Sequence, residues 1–141
     1  MKNAPLIELL DWEQARGQAA PIRFAVFVEE QGVPFEIELD EYDTVSIHAL
    51  AFHGEKAVGT GRLLPDGHIG RMAVLREYRN QGVGGQLLKR LVEAAKARGD
   101  RQVLLSAQVG ALKFYRAHGF EPAGDEYMEA GIRHQAMQKT L

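Results

Sequence analysis

Hydrophobic side chains recur with two different spacings along the chain, and each spacing predicts a different kind of element. Between residues 83 and 99, apolar side chains recur every three or four positions and charged ones lie opposite. This pattern predicts a long amphipathic helix that ends at Gly99. Three short apolar runs separated by turn-forming residues precede the helix and predict an antiparallel meander; they cover residues 46–52, 56–64 and 68–74.

Weaker patterns complete the set of predicted elements. A first strand is predicted over residues 6–10, and a short helix over 21–28 with Pro21 in its first turn and its end near Gly32. A buried strand is predicted over residues 102–106 and a second helix over 110–118. A closing pair of strands is predicted over 120–128 and 132–138. Because the third meander strand and strand 102–106 flank a helix, we expect them to be parallel neighbours.

The segment that joins the third meander strand to the long helix is rich in glycine. Its sequence is Arg79-Asn80-Gln81-Gly82-Val83-Gly84-Gly85. The N–H groups at a helix start lack partners inside the helix, and the helix dipole adds about half a positive charge there, so a phosphate is the expected ligand. A Walker loop is disfavoured because Gln86 and Leu87 stand where lysine and serine or threonine are required. A dinucleotide fingerprint is disfavoured because Leu87 replaces its third glycine. An ordinary tight turn is the alternative.

Another pair of glycines, Gly59 and Gly61, lies inside the second meander strand. These residues open no helix and therefore do not form a nucleotide loop. A glycine inside a strand instead predicts a β-bulge or a close backbone contact.

Composition narrows the class of protein. With 141 residues, 45% of them hydrophobic and 26% charged, the chain is predicted to form one globular domain over residues 1–141. A net charge of -2 disfavours a nucleic acid as partner, and no apolar run is long enough to predict a membrane partner.

The absence of cysteine excludes disulfides and thiolate zinc sites, and we predict no metal site. With no signal-peptide pattern at the N-terminus, we expect a cytoplasmic protein.

Charge is distributed most unevenly between residues 29 and 43, which hold seven carboxylates and no lysine or arginine. A solvated loop accounts for most of these side chains. The alternative is that one or two of them line a pocket that attracts a cationic amine, with Glu30 as the preferred member. A calcium loop is disfavoured because the order of aspartate, asparagine and glycine that such a loop requires is absent.

Two landmarks in the expected order resemble the GCN5-related N-acetyltransferases, a family that binds acyl-coenzyme A. The first is the loop 79–85, which matches Arg/Gln-x-x-Gly-x-Gly/Ala before a long helix. The second is a helix with Phe114 and Tyr115 near its end, followed by Gly119 and Phe120. Further motifs resemble the ElaA/YjcF-type branch, a small bacterial subfamily; they lie at residues 26–34, 59–63, 69–74 and 129–134.

The resemblance implies an α+β fold with acetyl-coenzyme A as cosubstrate. A central, mostly antiparallel sheet of about six or seven strands is flanked by about four helices, and strands four and five are parallel and splay apart to admit the coenzyme. The pyrophosphate is expected on main-chain N–H groups of the loop, with Arg76 and Arg79 near the outer phosphates. The pantetheine arm follows the backbone of the third meander strand and meets Gln108, where asparagine is frequent in the wider family. The implied coenzyme contacts are Met72, Ala73, Val74, Arg79, Asn80, Gln81, Gly82, Val83, Gly84, Gly85, Gln108 and Phe114.

Acyl transfer from a thioester to an amine requires a base, an oxyanion donor and an acid for the leaving thiolate. Tyr115 stands at the family position of the acid, Glu30 and His134 are the candidate bases, and the backbone N–H of Val74 is the candidate oxyanion donor. Each side chain has a structural alternative: a core position for the tyrosine, and a hydrogen bond to a nearby carbonyl for a histidine. Arg71 either meets the substrate or pairs with an acid of segment 29–43. The candidate acceptor contacts are Glu29, His48 and Arg71.

Together these features predict an acetyl-coenzyme A-dependent N-acetyltransferase that modifies a primary amine of a small acceptor. Because the chain has no cysteine, it cannot form a thioester acyl-enzyme, and direct attack in a ternary complex is expected. A monomer or a homodimer is expected. The alternative function is a non-catalytic coenzyme A-binding module with the same fold.

Overall fold

One mixed sheet of seven strands organises the molecule. The structure, a computed structural model, describes residues 4–141. The strands in chain order are β1 (Leu6–Leu10), β2 (Ile47–His53), β3 (Lys56–Leu63), β4 (His68–Val74), β5 (Gln102–Gln108), β6 (Glu121–Glu129) and β7 (Ile132–Thr140). They lie side by side in the order β1-β2-β3-β4-β5-β7-β6, and β4 and β5 run parallel whereas the other neighbours run antiparallel. The predicted meander, parallel pair and closing pair are confirmed.

Four α-helices flank the sheet in the described part of the chain: α1 (Trp12–Arg23), α2 (Phe35–Glu38), α3 (Val83–Arg98) and α4 (Leu112–Ala117). The long helix has its predicted bounds. The helix predicted over 110–118 is shorter, because residues Val109–Ala111 form a 3₁₀ turn before it. Within residues 4–141, none of the helices is long and apolar enough to cross a membrane.

The start predicted for the first helix is wrong. Asp11 caps α1 by accepting a hydrogen bond from the backbone N–H of Gln14, whose side chain accepts in return, so the helix begins nine residues before Pro21. Pro21 lies inside the helix and cannot donate a backbone hydrogen bond; the chain then continues as a π-helix over Phe24–Glu30. The predicted end is confirmed, since Gly32 follows with a φ of 72°.

The apolar face of α3 packs on the sheet and supplies much of the core. Its fully buried residues are Val83, Leu87, Leu88, Leu91 and Ala95. Glycines in β3 permit this close approach. A Cβ built at Gly61 would lie 2.9 Å from Cδ1 of Leu91 and would overlap Sδ of Met72. The predicted close backbone contact at this pair of glycines is confirmed.

Strands β4 and β5 separate soon after they meet. Their register contains two pairs, His68 with Leu104 and Ile69 with Leu105. Beyond them β4 carries a bulge, because two of its residues, Arg71 and Met72, lie opposite a single residue of β3. Arg71 has a φ of 49°, which is rare for a residue with a side chain. The splayed pair predicted from the family resemblance is confirmed.

Candidate active site

The gap between β4 and β5 opens into a cavity of about 550 Å³. Its walls come from β3, β4, β5, α4, β7 with the turn that precedes it, and the π-helical segment with the residues that follow it. A volume of roughly 300 to 1,000 Å³ is usual for small-molecule sites. The splay of the parallel strands therefore builds a site large enough for a reacting group and an acceptor.

Tyr115 lies in the wall of this cavity, on α4. Its ring packs edge-on against Phe114 and Phe120, with centroids 5.0 and 6.0 Å away. Burial raises the pKa of Tyr115 to about 12, because the phenolate is poorly solvated there. The hydroxyl is therefore neutral near pH 7 and carries a proton that a departing thiolate could take up.

His134 lines the same cavity from β7, directly across the strand pair from Gln108. Its Nδ1 lies 2.8 Å from the carbonyl oxygen of Ile132. Because a carbonyl only accepts, this contact assigns the proton to Nδ1 and leaves the lone pair on Nε2. The predicted alternative, a hydrogen bond to a nearby carbonyl, is thus present, and Nε2 lies 3.9 Å from Oε2 of Glu129, where it can act as a base.

Gln108 ends β5 and also lines the cavity. Its amide donates a 2.8 Å hydrogen bond to Oε1 of Gln31, which follows the π-helix. This bond links the β5 side of the gap to the segment that covers it. The second amide hydrogen of Gln108 is a further donor for a ligand that lies along β4.

The glycine-rich loop places a helix start at the open end of the gap. Gly82 precedes α3 with a φ of 83° and Asn80 has a φ of 62°, so the backbone turns sharply twice before the helix. A Cβ built at Gly84 would lie 3.6 Å from Cζ of Phe114. The glycine-rich loop and the helix that contains Phe114, the two segments that carry the family resemblance, are therefore in contact. The first N–H groups of α3 have no carbonyl within the helix to bind, as an anion site requires.

Glu30 lies beside this loop. Its carboxylate accepts hydrogen bonds from both terminal nitrogens of Arg79, at 2.7 and 3.0 Å, and one from Arg76 at 3.3 Å. Arg79 also donates from Nε to the carbonyl oxygen of Val74 at the end of β4. The hydrogen bond from Arg79 lowers the pKa of Glu30, which weakens this carboxylate as a base.

Four of the seven acids in segment 29–43 are exposed, as predicted for most of them, but three are not. Glu38 and Asp43 are buried and Asp40 is half-buried, because arginines from three other elements pair with them. We name these six side chains the arginine–carboxylate cluster: Arg23, Arg62, Arg71, Glu38, Asp40 and Asp43. Its ion pairs join Arg23 to Glu38 (2.6 Å) and Asp43 (2.8 Å), Arg62 to Asp40 (2.7 Å) and Asp43 (2.9 Å), and Arg71 to Asp40 (3.2 Å).

The remaining acceptor candidates occupy different places. Arg71 lines the cavity and forms an ion pair with Asp40. Pairing with an acid of segment 29–43 is one of the two roles predicted for it. Glu29 is exposed on the π-helix. His48 is only 1% exposed, and its Nε2 lies 2.8 Å from the carbonyl oxygen of Asp43, which favours its structural alternative.

Sequence reasoning assigned no role to several residues that the fold brings to the cavity. Arg62, Phe27, Gln31 and Ser106 all line it. Only Arg62 carries a signal that could have been used, since a charged side chain near the buried end of a predicted strand requires a partner. The other three depend on how distant elements meet, which local patterns do not contain.

The fold and the site define a class of protein. Residues 17–141 match the family described as the acetyltransferase (GNAT) domain. The chain therefore belongs to the GNAT acetyltransferase family, a class of acyltransferases.

Individual relatives place it in the ElaA/YjcF-like branch of that superfamily. The uncharacterized N-acetyltransferase YjcF of Bacillus subtilis is 40% identical over 131 residues, which cover 90% of this chain and 94% of YjcF. ElaA of Escherichia coli is a structural neighbour with a TM-score of 0.85 and 28% identity, covering 96% of this chain and 99% of ElaA. An acyl-CoA N-acyltransferase of Pseudomonas aeruginosa has a TM-score of 0.87 and 29% identity, and the match covers 97% of this chain and 100% of that structure. The family resemblance is confirmed.

Proposed function

We propose that this protein transfers an acetyl group from acetyl-coenzyme A to the primary amine of a small acceptor. The observation that carries the proposal is the gap between β4 and β5, which leads from the start of α3 to a cavity walled by Tyr115 and His134. The Pseudomonas aeruginosa neighbour is described as an acyl-CoA N-acyltransferase, which supports an acyl-coenzyme A donor. The family description supports acetyl as the acyl group.

In this proposal the coenzyme enters through the gap. The main-chain N–H groups of residues 81–85 bind its pyrophosphate, with Arg76 and Arg79 near the outer phosphates. The pantetheine arm lies against Met72, Ala73 and Val74, where β4 has left β5 and its edge is open to another extended chain. Gln108 and Phe114 flank it from β5 and α4.

The reaction is then a direct transfer from sulfur to nitrogen. The amine nitrogen attacks the thioester carbonyl carbon, and Nε2 of His134 takes the proton that the nitrogen loses. The N–H of Val74 stabilises the oxyanion, an interaction worth about 3 kcal/mol for one well-placed donor. The carbon–sulfur bond breaks, and the hydroxyl of Tyr115 gives its proton to the thiolate. Glu30, held by two arginines, is the weaker candidate for the base.

Calorimetric titration with acetyl-coenzyme A and with coenzyme A tests the first half of the proposal. A thiol-release assay against amines, amino acids and polyamines in the same buffer tests the second half. We expect binding of both coenzyme forms and release with some acceptors. Absence of binding would refute the assignment of the loop, whereas binding without release for any acceptor would favour a coenzyme A-binding module that has no turnover.

A further inference from the structure

The arginine–carboxylate cluster forms part of the cavity wall, and its charges are not presented evenly to the cavity. Arg62, Arg71 and Glu38 all belong to the lining. The carboxylate of Glu38 is 4% exposed and accepts a 2.6 Å hydrogen bond from Nε of Arg23 behind it. The side chain of Arg71 is 30% exposed, more than those of its partners Glu38 and Asp40. This part of the wall therefore presents a guanidinium to a ligand and keeps Glu38 buried, whereas the other carboxylate of the lining, Glu129, lies near Nε2 of His134.

Arg62 supplies a second, independent observation. It is 5% exposed, and its Nε is the one buried side-chain nitrogen or oxygen in the described residues without a hydrogen-bond partner in the protein. Both of its terminal nitrogens are held by Asp40 and Asp43. This Nε has no surface that a ligand in the cavity could touch, so Arg62 contributes its positive charge behind the cavity wall and orients the carboxylates there.

The backbone conformation of Arg71 is a third observation. The β4 bulge puts this residue in the left-handed region, with a φ of 49°, where a side chain is strained. Bulges near sites re-aim a side chain, and here the side chain so aimed lines the cavity. Burial and the neighbouring Arg62 also lower the pKa of Arg71, so an anion bound beside it would offset the repulsion between the two guanidinium groups.

We propose that the acceptor is an amine that also carries a carboxylate, and that Arg71, backed by Arg62, binds this carboxylate. The inference deepens the proposed acetyl transfer and rests on it. An amino acid or a compound of that type has both groups within a few bonds of each other. With its carboxylate on the arginine wall, its amine is left to face His134 and the thioester. Glu38, the acid of segment 29–43 that lines the cavity, is paired with Arg23, so it does not select a purely cationic amine.

The test compares matched acceptors and matched variants. Standard L-amino acids, their carboxamides and their decarboxylated amines are assayed for thiol release, and their binding to the coenzyme A-loaded protein is measured by calorimetry. We expect kcat/KM for the preferred amino acid to exceed that for its amide by about tenfold or more, as a charge-assisted hydrogen bond allows. Arg71→Gln should reduce this ratio to near one. Arg71→Lys should restore only part of it, because lysine lacks the planar fork.

Two controls separate this inference from the proposed function. Arg90→Gln, on the outer face of α3, should leave the ratio unchanged. The affinity of Arg71→Gln for acetyl-coenzyme A should stay within about twofold of wild type, which shows that the variant is folded. Equal turnover of amides and acids, or failure of every carboxylate-bearing amine to bind the loaded protein, would overturn the inference while acetyl-coenzyme A binding still supported the family function. Failure to bind acetyl-coenzyme A would overturn both.

Discussion

Two side chains of the cavity each carry a proton whose position follows from their immediate surroundings. The ring of Tyr115 is packed between aromatic side chains, so burial raises the pKa of its hydroxyl and keeps it protonated. The carbonyl of Ile132 fixes the proton of His134 on Nδ1. One residue is thus prepared to give a proton and the other to take one, which is what transfer from a thioester to an amine requires.

Replacing the hydroxyl of Tyr115 tests this pairing. Tyr115→Phe keeps the ring contacts and removes the acid, so we expect kcat to fall by about a hundredfold or more with little change in the affinity for acetyl-coenzyme A. Steady-state thiol release and calorimetry measure the two quantities. Full turnover in the variant would remove the tyrosine from the mechanism. Tyr78→Phe, in the 3₁₀ turn that precedes the glycine-rich loop, is the matched control and should keep its kcat.

Asp43 makes a different kind of contribution, to stability. It accepts hydrogen bonds from Arg23 at 2.8 and 3.2 Å and from Arg62 at 2.9 Å, and it is 1% exposed. Asp43→Asn removes one of the two carboxylates that pair with each of two buried guanidinium groups, leaving Glu38 with Arg23 and Asp40 with Arg62, so we expect a loss of about 1.5 to 3 kcal/mol in the free energy of unfolding. Urea unfolding of the variant and the wild type measures this difference in the free energy of unfolding. Glu41→Gln, two residues away and exposed, should change stability by less than about 0.5 kcal/mol.

At the scale of elements, the contact between α3 and the sheet depends on glycines in β3. A Cβ at Gly61 would lie 2.9 Å from Leu91 and would displace Met72, whereas a Cβ at Gly70 in the neighbouring strand meets nothing within 4 Å. We expect Gly61→Ala to cost about 1 to 3 kcal/mol and Gly70→Ala to cost much less. Chemical denaturation of the two variants compares an overpacked position with an open one. Equal stabilities would show that α3 shifts without penalty.

A second junction, between the π-helix and the glycine-rich loop, is made by Glu30. Its carboxylate holds Arg79 and Arg76, the arginines proposed to meet the coenzyme phosphates. Because phosphate and Glu30 then compete for the same guanidinium groups, Glu30→Gln is expected to tighten coenzyme A binding by about threefold to tenfold at unchanged kcat. A fall of a hundredfold in kcat would instead identify Glu30 as the base. Glu36→Gln, an exposed acid on α2, serves as the control.

The elements differ in how much of them could be predicted. The meander and α3 follow from local periodicity, because their apolar residues repeat over several turns or strands. The start of α1 was missed although Asp11 and Gln14 form a capping box, since the apolar spacing is clear only after Pro21. The burial of Glu38 and Asp43 depends on Arg23 and Arg62, which lie fifteen or more residues away in the chain. No local pattern contains such a pairing.

For the molecule as a whole, the buried charges and the core histidine set how stability depends on pH. Burial lowers the pKa of His48 below its ordinary value of 6.5. Burial acts to raise the pKa values of Asp43 and Asp40, but hydrogen bonds from Arg23 and Arg62 outweigh it, and both lie below the ordinary value of 3.8. In each case the folded protein binds fewer protons than the unfolded chain, so stability must rise with pH across both ranges.

We therefore expect the free energy of unfolding to decline in two steps as the pH falls. The first step begins near pH 6.5, where His48 would take up a proton only in the unfolded chain. The second, larger step begins near pH 3.8 and ends when the buried aspartates are protonated in the folded protein as well. Urea titrations at pH values from 7.5 to about 2.5 measure both steps. His48→Gln should reduce the first step, part of which remains because burial also lowers the pKa of His118, and it should leave the second, because only the second belongs to the arginine–carboxylate cluster. Stability that held constant or rose below pH 3.8 would contradict the buried ion pairs, and with them the charged wall on which the acceptor proposal depends.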